Sequence, residues 1–143
     1  MNDYYVIIDS NFLFLPFQFK IDYLNDIENN LGGKSKIIIF QQIIDELNSK
    51  HKREPNARLF EKDLLASKKY LEKNKDKYNI QYIEKRKNFN ETTDQFLIKE
   101  CLNYKTQESK VYLATNDSNL RKRAYKQGIH TIYLKQKKYL VFD

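Results

Sequence analysis

Four short runs of β-branched and aromatic residues constrain this chain most: Tyr4-Tyr5-Val6-Ile7-Ile8, Lys36-Ile37-Ile38-Ile39-Phe40, Val111-Tyr112-Leu113-Ala114 and Thr131-Ile132-Tyr133-Leu134. Each is apolar on consecutive residues rather than on alternate ones. A strand of that kind has no face to give to water, so it belongs in a parallel sheet covered on both sides. Ile80 to Ile83 and Tyr139 to Phe142 are two weaker candidates. The stretches between have helical spacing: Phe60, Leu64, Ser67 and Leu71; Ile43, Ile44 and Leu47; Leu97 with Cys101 and Ile98 with Leu102; Leu120 with Ala124. A further helix is predicted from Ile21 to Leu31, ended by Gly32-Gly33, and Pro55 marks the start of the long Phe60 helix. Lys73 to Lys77 and Lys85 to Asn90 read as polar loops. Alternating strands and helices predict an α/β layer fold, with one domain over residues 1–143.

Composition narrows the chemistry. A single cysteine, Cys101, excludes an intrachain disulfide framework, and with only His51 and His130 beside it a Cys/His zinc site is excluded too. No run approaches the ~18 apolar residues of a membrane span, and Met1-Asn2-Asp3 lacks the basic start of a signal peptide, so a soluble cytoplasmic protein is expected. The formal charge of +7 suits a polyanionic partner, although lysine-rich surfaces also serve only to solvate.

In an open parallel sheet the functional crevice lies at the carboxyl ends of the strands. Asp9-Ser10-Asn11 follows the first run and Thr115-Asn116-Asp117-Ser118 follows the third of the four. Two more acids fall near helix starts or inner turns, Asp94 in Glu91-Thr92-Thr93-Asp94 and Glu46 in Ile43-Ile44-Asp45-Glu46-Leu47. Each has a purely structural use as well. Asp9 and Asp117 suit helix caps, Thr92 with Gln95 reads as a capping box around Asp94, and Glu46 has Lys50 four residues on for an ion pair. Taken together, carboxylates gathered at one crevice suit phosphodiester hydrolysis with Mg²⁺ or Mn²⁺, hard cations that take oxygen ligands and need neither His nor Cys.

Val6-Ile7-Ile8-Asp9-Ser10-Asn11-Phe12-Leu13, Ile43-Ile44-Asp45-Glu46-Leu47, Thr92-Thr93-Asp94-Gln95-Phe96-Leu97 and Leu113-Ala114-Thr115-Asn116-Asp117-Ser118-Asn119-Leu120, in that order, resemble the PIN-domain nucleases. The tail from Gly128-Ile129-His130 to Tyr139-Leu140 is similar to archaeal PIN proteins related to the small-subunit rRNA processing nuclease of eukaryotes. The resemblance implies a Rossmann-like PIN domain, a central, mainly parallel sheet flanked by helices, and a Mg²⁺- or Mn²⁺-dependent endoribonuclease leaving 5′-phosphate and 3′-hydroxyl ends. By position it makes Asp9, Glu46, Asp94 and Asp117 the catalytic acids. Asp9, Asp94 and Asp117 would take metal directly or through water, Glu46 would position or deprotonate a water, and Asn11 and Thr115 would support them. Many relatives of the rRNA-processing type carry paired acids at the third motif, whereas Gln95 follows Asp94 here, leaving four acids rather than five.

Among the basic clusters, Arg121 and Arg123 follow Asp117 closely, and Lys50 and Arg53 end the Glu46 helix; these are the expected RNA contacts. Phe12, Phe14, Phe17 and Phe19 suit core or dimer packing, or base stacking at the crevice rim. The expected partners are RNA, a second copy of the chain, and an antitoxin or ribosome-assembly factor, with no membrane. A haloacid-dehalogenase phosphatase would want a second Asp where Asn11 stands, and a receiver domain would want differently spaced acids. An RNA-binding PIN-like module without catalysis is the alternative.

Overall fold

The apolar runs form the centre of a six-stranded sheet. A computed structural model describes residues 3–32, 34–53 and 55–143. In chain order it comprises β1 (Asp3–Ile8), a 3₁₀ turn (Ser10–Phe12), α1 (Leu15–Gln18), α2 (Tyr23–Leu31), β2 (Ser35–Phe40), α3 (Gln41–Arg53), α4 (Ala57–Asn74), β3 (Asn79–Ile83), α5 (Thr93–Tyr104), β4 (Ser109–Ala114), α6 (Ser118–Lys126), β5 (His130–Lys135) and β6 (Tyr139–Phe142). The sheet order is β3-β2-β1-β4-β5-β6. All neighbours are parallel except β5 and β6, which are antiparallel.

Helices flank the sheet, and this is why the central strands carry no polar face. Val6, Ile7, Ile8, Ile38, Phe40, Leu113 and Ala114 have no exposure to solvent at all. At roughly 25 cal/mol per Å² of apolar surface removed from water, their burial is a major contribution to the stability of the fold. The helical stripes meet them as the spacing predicts, with Phe60, Leu64, Ser67 and Leu71 buried along α4 and Phe96, Leu97 and Cys101 along α5. Cys101 is fully buried, and burial pushes its thiol far above the ordinary range, so it acts as a small apolar residue.

Element ends depart from expectation for local reasons. The first full helix starts at Tyr23 rather than Ile21 because Asp22 supplies its cap, accepting a bond from the Asn25 amide. It ends at Gly32, whose φ of 87° and amide bond to the Glu28 carbonyl (2.7 Å) suit a residue without Cβ; Gly33 lies outside the described residues. The long helix begins at Ala57, capped by Asn56, and continues through Asn74, so Lys73 is helical rather than in a loop. The short α1, opened by Pro16, falls in the phenylalanine run. Phe12 and Phe14 are buried, edge-on to Tyr23 and Phe60, so they belong to the core. Among the described residues no helix is long and apolar enough to cross a membrane.

Candidate active site

The chain runs outward from β1 through β2 to β3, then returns to the other side of β1 as β4, β5 and β6. Between β1 and β4 the order therefore reverses, and the crevice at their carboxyl ends is where such sheets bind ligands. Asp9 extends β1 by one rung, its amide donating to the Ala114 carbonyl at 3.0 Å. Thr115 extends β4, its amide donating to the Ile132 carbonyl at 3.0 Å.

Side chains join the two strand ends. The Thr115 hydroxyl donates to Asp9 Oδ2 at 2.7 Å and accepts from the Asp117 amide at 3.1 Å. Asn11 Nδ2 donates to the Thr115 oxygen at 3.3 Å and contacts Asp9 Oδ2 at 3.4 Å, while Asn11 Oδ1 accepts from the Asn116 amide at 3.0 Å. Asp9 Oδ1 accepts from the Ser10 amide at 2.8 Å. Asp117 caps α6 through Oδ1, which takes the Asn119 and Leu120 amides at 2.9 and 3.1 Å. Its structural role as a cap is thus real, and it employs one carboxylate oxygen.

From the other half of the sheet come Glu46 and Asp94. Glu46 lies in the second turn of α3, where Oε1 accepts from the Gln42 side-chain amide (3.2 Å) and, in a very short bond, from the Thr93 hydroxyl. Asp94 sits in the first turn of α5, with its Oδ2 3.8 Å from Arg123 Nη1 on α6. Burial raises the Asp9 carboxyl above its ordinary range; Thr115 and Ser10 oppose this, while the charges of Asp94 and Asp117 add to it. Burial likewise raises Asp94, with Asp117 and Glu46 adding to the rise and Arg123 opposing it. The four acids from β1, α3, α5 and the loop after β4 therefore act on one another electrostatically.

Such a donor set, all carboxylate and amide oxygens, fits a hard divalent cation, whose charge would relieve the repulsion raising Asp9 and Asp94. Among the described residues no three acidic, His or Cys side chains converge as a ready cage for one ion.

The PIN domain family model matches residues 6–135, most of the chain. The chain belongs to the PIN-domain family. It is 30% identical over 136 residues to ribonuclease VapC4 of Methanocaldococcus jannaschii, covering 95% of this chain and 94% of that protein. Among solved structures, the PIN domain endonuclease Utp24 matches with a TM-score of 0.66 and 24% identity over 97% of this chain and 90% of that one. A domain of a functionally unknown protein from Methanocaldococcus jannaschii matches with a TM-score of 0.60 and 19% identity, over 96% and 95%. These two likenesses show the fold.

Within this PIN domain, Gln95 has a definite structural use. Its amide oxygen accepts from the Thr92 amide at 2.9 Å, while the Thr92 hydroxyl accepts from the Gln95 amide at 3.1 Å, closing the expected capping box. The predicted cations divide. Arg123 stands at Asp94, whereas the Arg121 guanidinium lies over the Tyr133 ring at 3.8 Å. Lys50 lines a cavity of about 210 Å³ beside Phe14 and Phe60, and forms no ion pair with Glu46 among the described residues. Arg53 is exposed at the end of α3. Two functional neighbours escaped the sequence reading, Gln42 and Thr93, both of which orient Glu46. Two consecutive threonines before Asp94, of which a cap needs only one, were the available signal.

Proposed function

We propose that this PIN-domain protein is a divalent-metal-dependent endoribonuclease, with Asp9, Glu46, Asp94 and Asp117 as its catalytic acids. The observation that carries the reading is geometric: the Thr115 hydroxyl ties Asp9 at the end of β1 to the Asp117 turn after β4, at the switch point of the sheet. Capping employs one oxygen of Asp117 and leaves the proximity of its charge to Asp9 and Asp94 without a structural use, whereas a cation would give it one. The 30% identity to a protein named as a ribonuclease supports RNA as the substrate.

Asp9, Asp94 and Asp117 would hold Mg²⁺ or Mn²⁺, directly or through the waters it keeps. When bound, that ion supplies charge to neutralise a phosphate oxygen and makes a nearby water easier to deprotonate. Thr115, Asn11 and the Ser10 amide fix the Asp9 carboxylate by hydrogen bonds, so its orientation is set before substrate arrives. Glu46, steadied by Thr93 and Gln42, takes the proton of the attacking water. The water oxygen joins phosphorus, the bond to the 3′-oxygen breaks, and the products carry 5′-phosphate and 3′-hydroxyl ends. Arg123 draws the phosphodiester toward Asp94.

The test is cleavage of single-stranded and structured RNA with Mn²⁺ by the wild type, Asp9→Asn and Asp117→Asn. Each substitution should lower the rate by at least about 100-fold, and a chelator should abolish it. Unchanged cleavage in either variant would remove that residue from the site and break the assignment.

A further inference from the structure

Of the large apolar side chains among the described residues, Phe89 is the most exposed: its whole surface is open to solvent. It lies on the segment from the carboxyl end of β3 to the start of α5, at the same sheet edge as Asp9 and Asp117. It precedes Asp94 by five residues, at most about 18 Å of extended chain.

The segment that carries Phe89 is tied down on every side. The Glu91 amide donates to the Asn88 carbonyl at 3.1 Å, closing a turn with Phe89 at its tip. Glu91 Oε1 accepts the Asn88 amide at 3.0 Å, and the same carboxylate takes Lys99 Nζ of α5 at 2.9 and 3.0 Å. Upstream, Lys85 pairs with the buried Glu100 of α5 at 2.6 Å, Arg86 with Asp45 of α3 at 2.6 Å, and the Lys87 amide bonds Gln42 Oε1 at 3.0 Å. Thus the cations of the Lys85-Arg86-Lys87 cluster largely fasten the loop. Neither packing nor turn chemistry calls for phenylalanine at the tip, a position that polar residues and proline serve better.

We infer that Phe89 is a stacking platform for an unpaired base of single-stranded RNA bound across the Asp94 edge. An aromatic face takes any base, and a ring on a fastened turn meets it with its ordering already done. Lys87 two residues back and Arg123 beside Asp94 give the adjoining phosphates opposite charge. The inference rests on the nuclease reading and names how that site holds its substrate.

The chain contains no tryptophan, so Phe89→Trp introduces a single indole at the tip, which is excited selectively at wavelengths longer than the chain's 11 tyrosines absorb. The probe is a ten-nucleotide single-stranded oligouridylate with Ca²⁺ in place of Mg²⁺ or Mn²⁺, which supplies the cation in a looser coordination that does not support cleavage, with a duplex of the same length as comparison. Binding is followed separately by anisotropy of labelled RNA. The single strand should quench the indole fluorescence of the Phe89→Trp variant saturably and the duplex should not. Phe89→Ala should weaken single-strand binding about tenfold without shifting the melting temperature, and Phe89→Tyr should restore it. Equal affinity for wild type and Phe89→Ala, or binding without quenching, overturns the inference; a protein segment as the natural occupant would give the first result. Failure here with cleavage still dependent on Asp9 leaves the nuclease reading intact. Quenching with cleavage indifferent to Asp9 removes the catalytic assignment and keeps the platform.

Discussion

Thr115 has one hydroxyl and three partners. It donates to Asp9 and accepts from the Asp117 amide and from Asn11, which exhausts its donor and both lone pairs. The residue is completely buried, so replacing it with valine keeps the volume but takes a partner from Asp9, from Asn11 and from the part-buried Asp117 amide. Thr115→Val should cost about 1–3 kcal/mol in urea denaturation and lower RNA cleavage, whereas Thr115→Ser should retain most of both. Thr93 gives the opposite profile, since its hydroxyl serves Glu46 on an only half-buried surface. Thr93→Val should reduce kcat with little change in KM or melting temperature, because it frees the group that takes the proton. At this scale the acids were legible in sequence, each standing just past an apolar run or near a helix start. The Thr93–Glu46 contact was not, because it joins residues 47 positions apart on different helices and neither neighbourhood predicts the other.

Among the elements, α5 shows how a local structural need can stand in the place of a catalytic residue. Gln95 looked like a gap in an acidic motif, yet its side chain closes a capping box, a task fixed by the local spacing Thr92 to Gln95. Gln95→Ala should therefore cost about 1 kcal/mol of stability and leave metal-dependent cleavage near the wild-type rate, measured by thermal melting alongside an RNA cleavage assay. The strands were legible because residues buried on both faces must be apolar in succession, as Val6-Ile7-Ile8 are. The four-residue α1 was not, being too short to display a helical period, and the reversal of β6 depends on a tight turn at Gln136 and Lys137. The Lys85 to Asn90 loop is polar in sequence, but its ion pairs to Asp45 of α3 and Glu100 of α5 join residues far apart in the chain and have no local signal.

Across the whole molecule, the charge of +7 conceals a separation: basic side chains lie mostly on the surface, while Asp9, Asp94, Asp117 and Glu46 lie near enough for charge effects among them at the edge where the sheet changes direction. This separation lets a polyanion approach a negative centre, provided a cation occupies it. On the proposed function, a cation that binds these carboxylates in the folded state would stabilise that state, which links metal binding to folding stability. Mn²⁺ titrated against thermal unfolding reads that linkage directly, without needing the natural RNA. The melting temperature of the wild type should rise saturably with Mn²⁺, by the equivalent of about 2.7 kcal/mol at one hundred times the dissociation constant, while the Asp9→Asn, Asp117→Asn double variant should not respond. An equal rise in both proteins, or none in the wild type, would contradict the account.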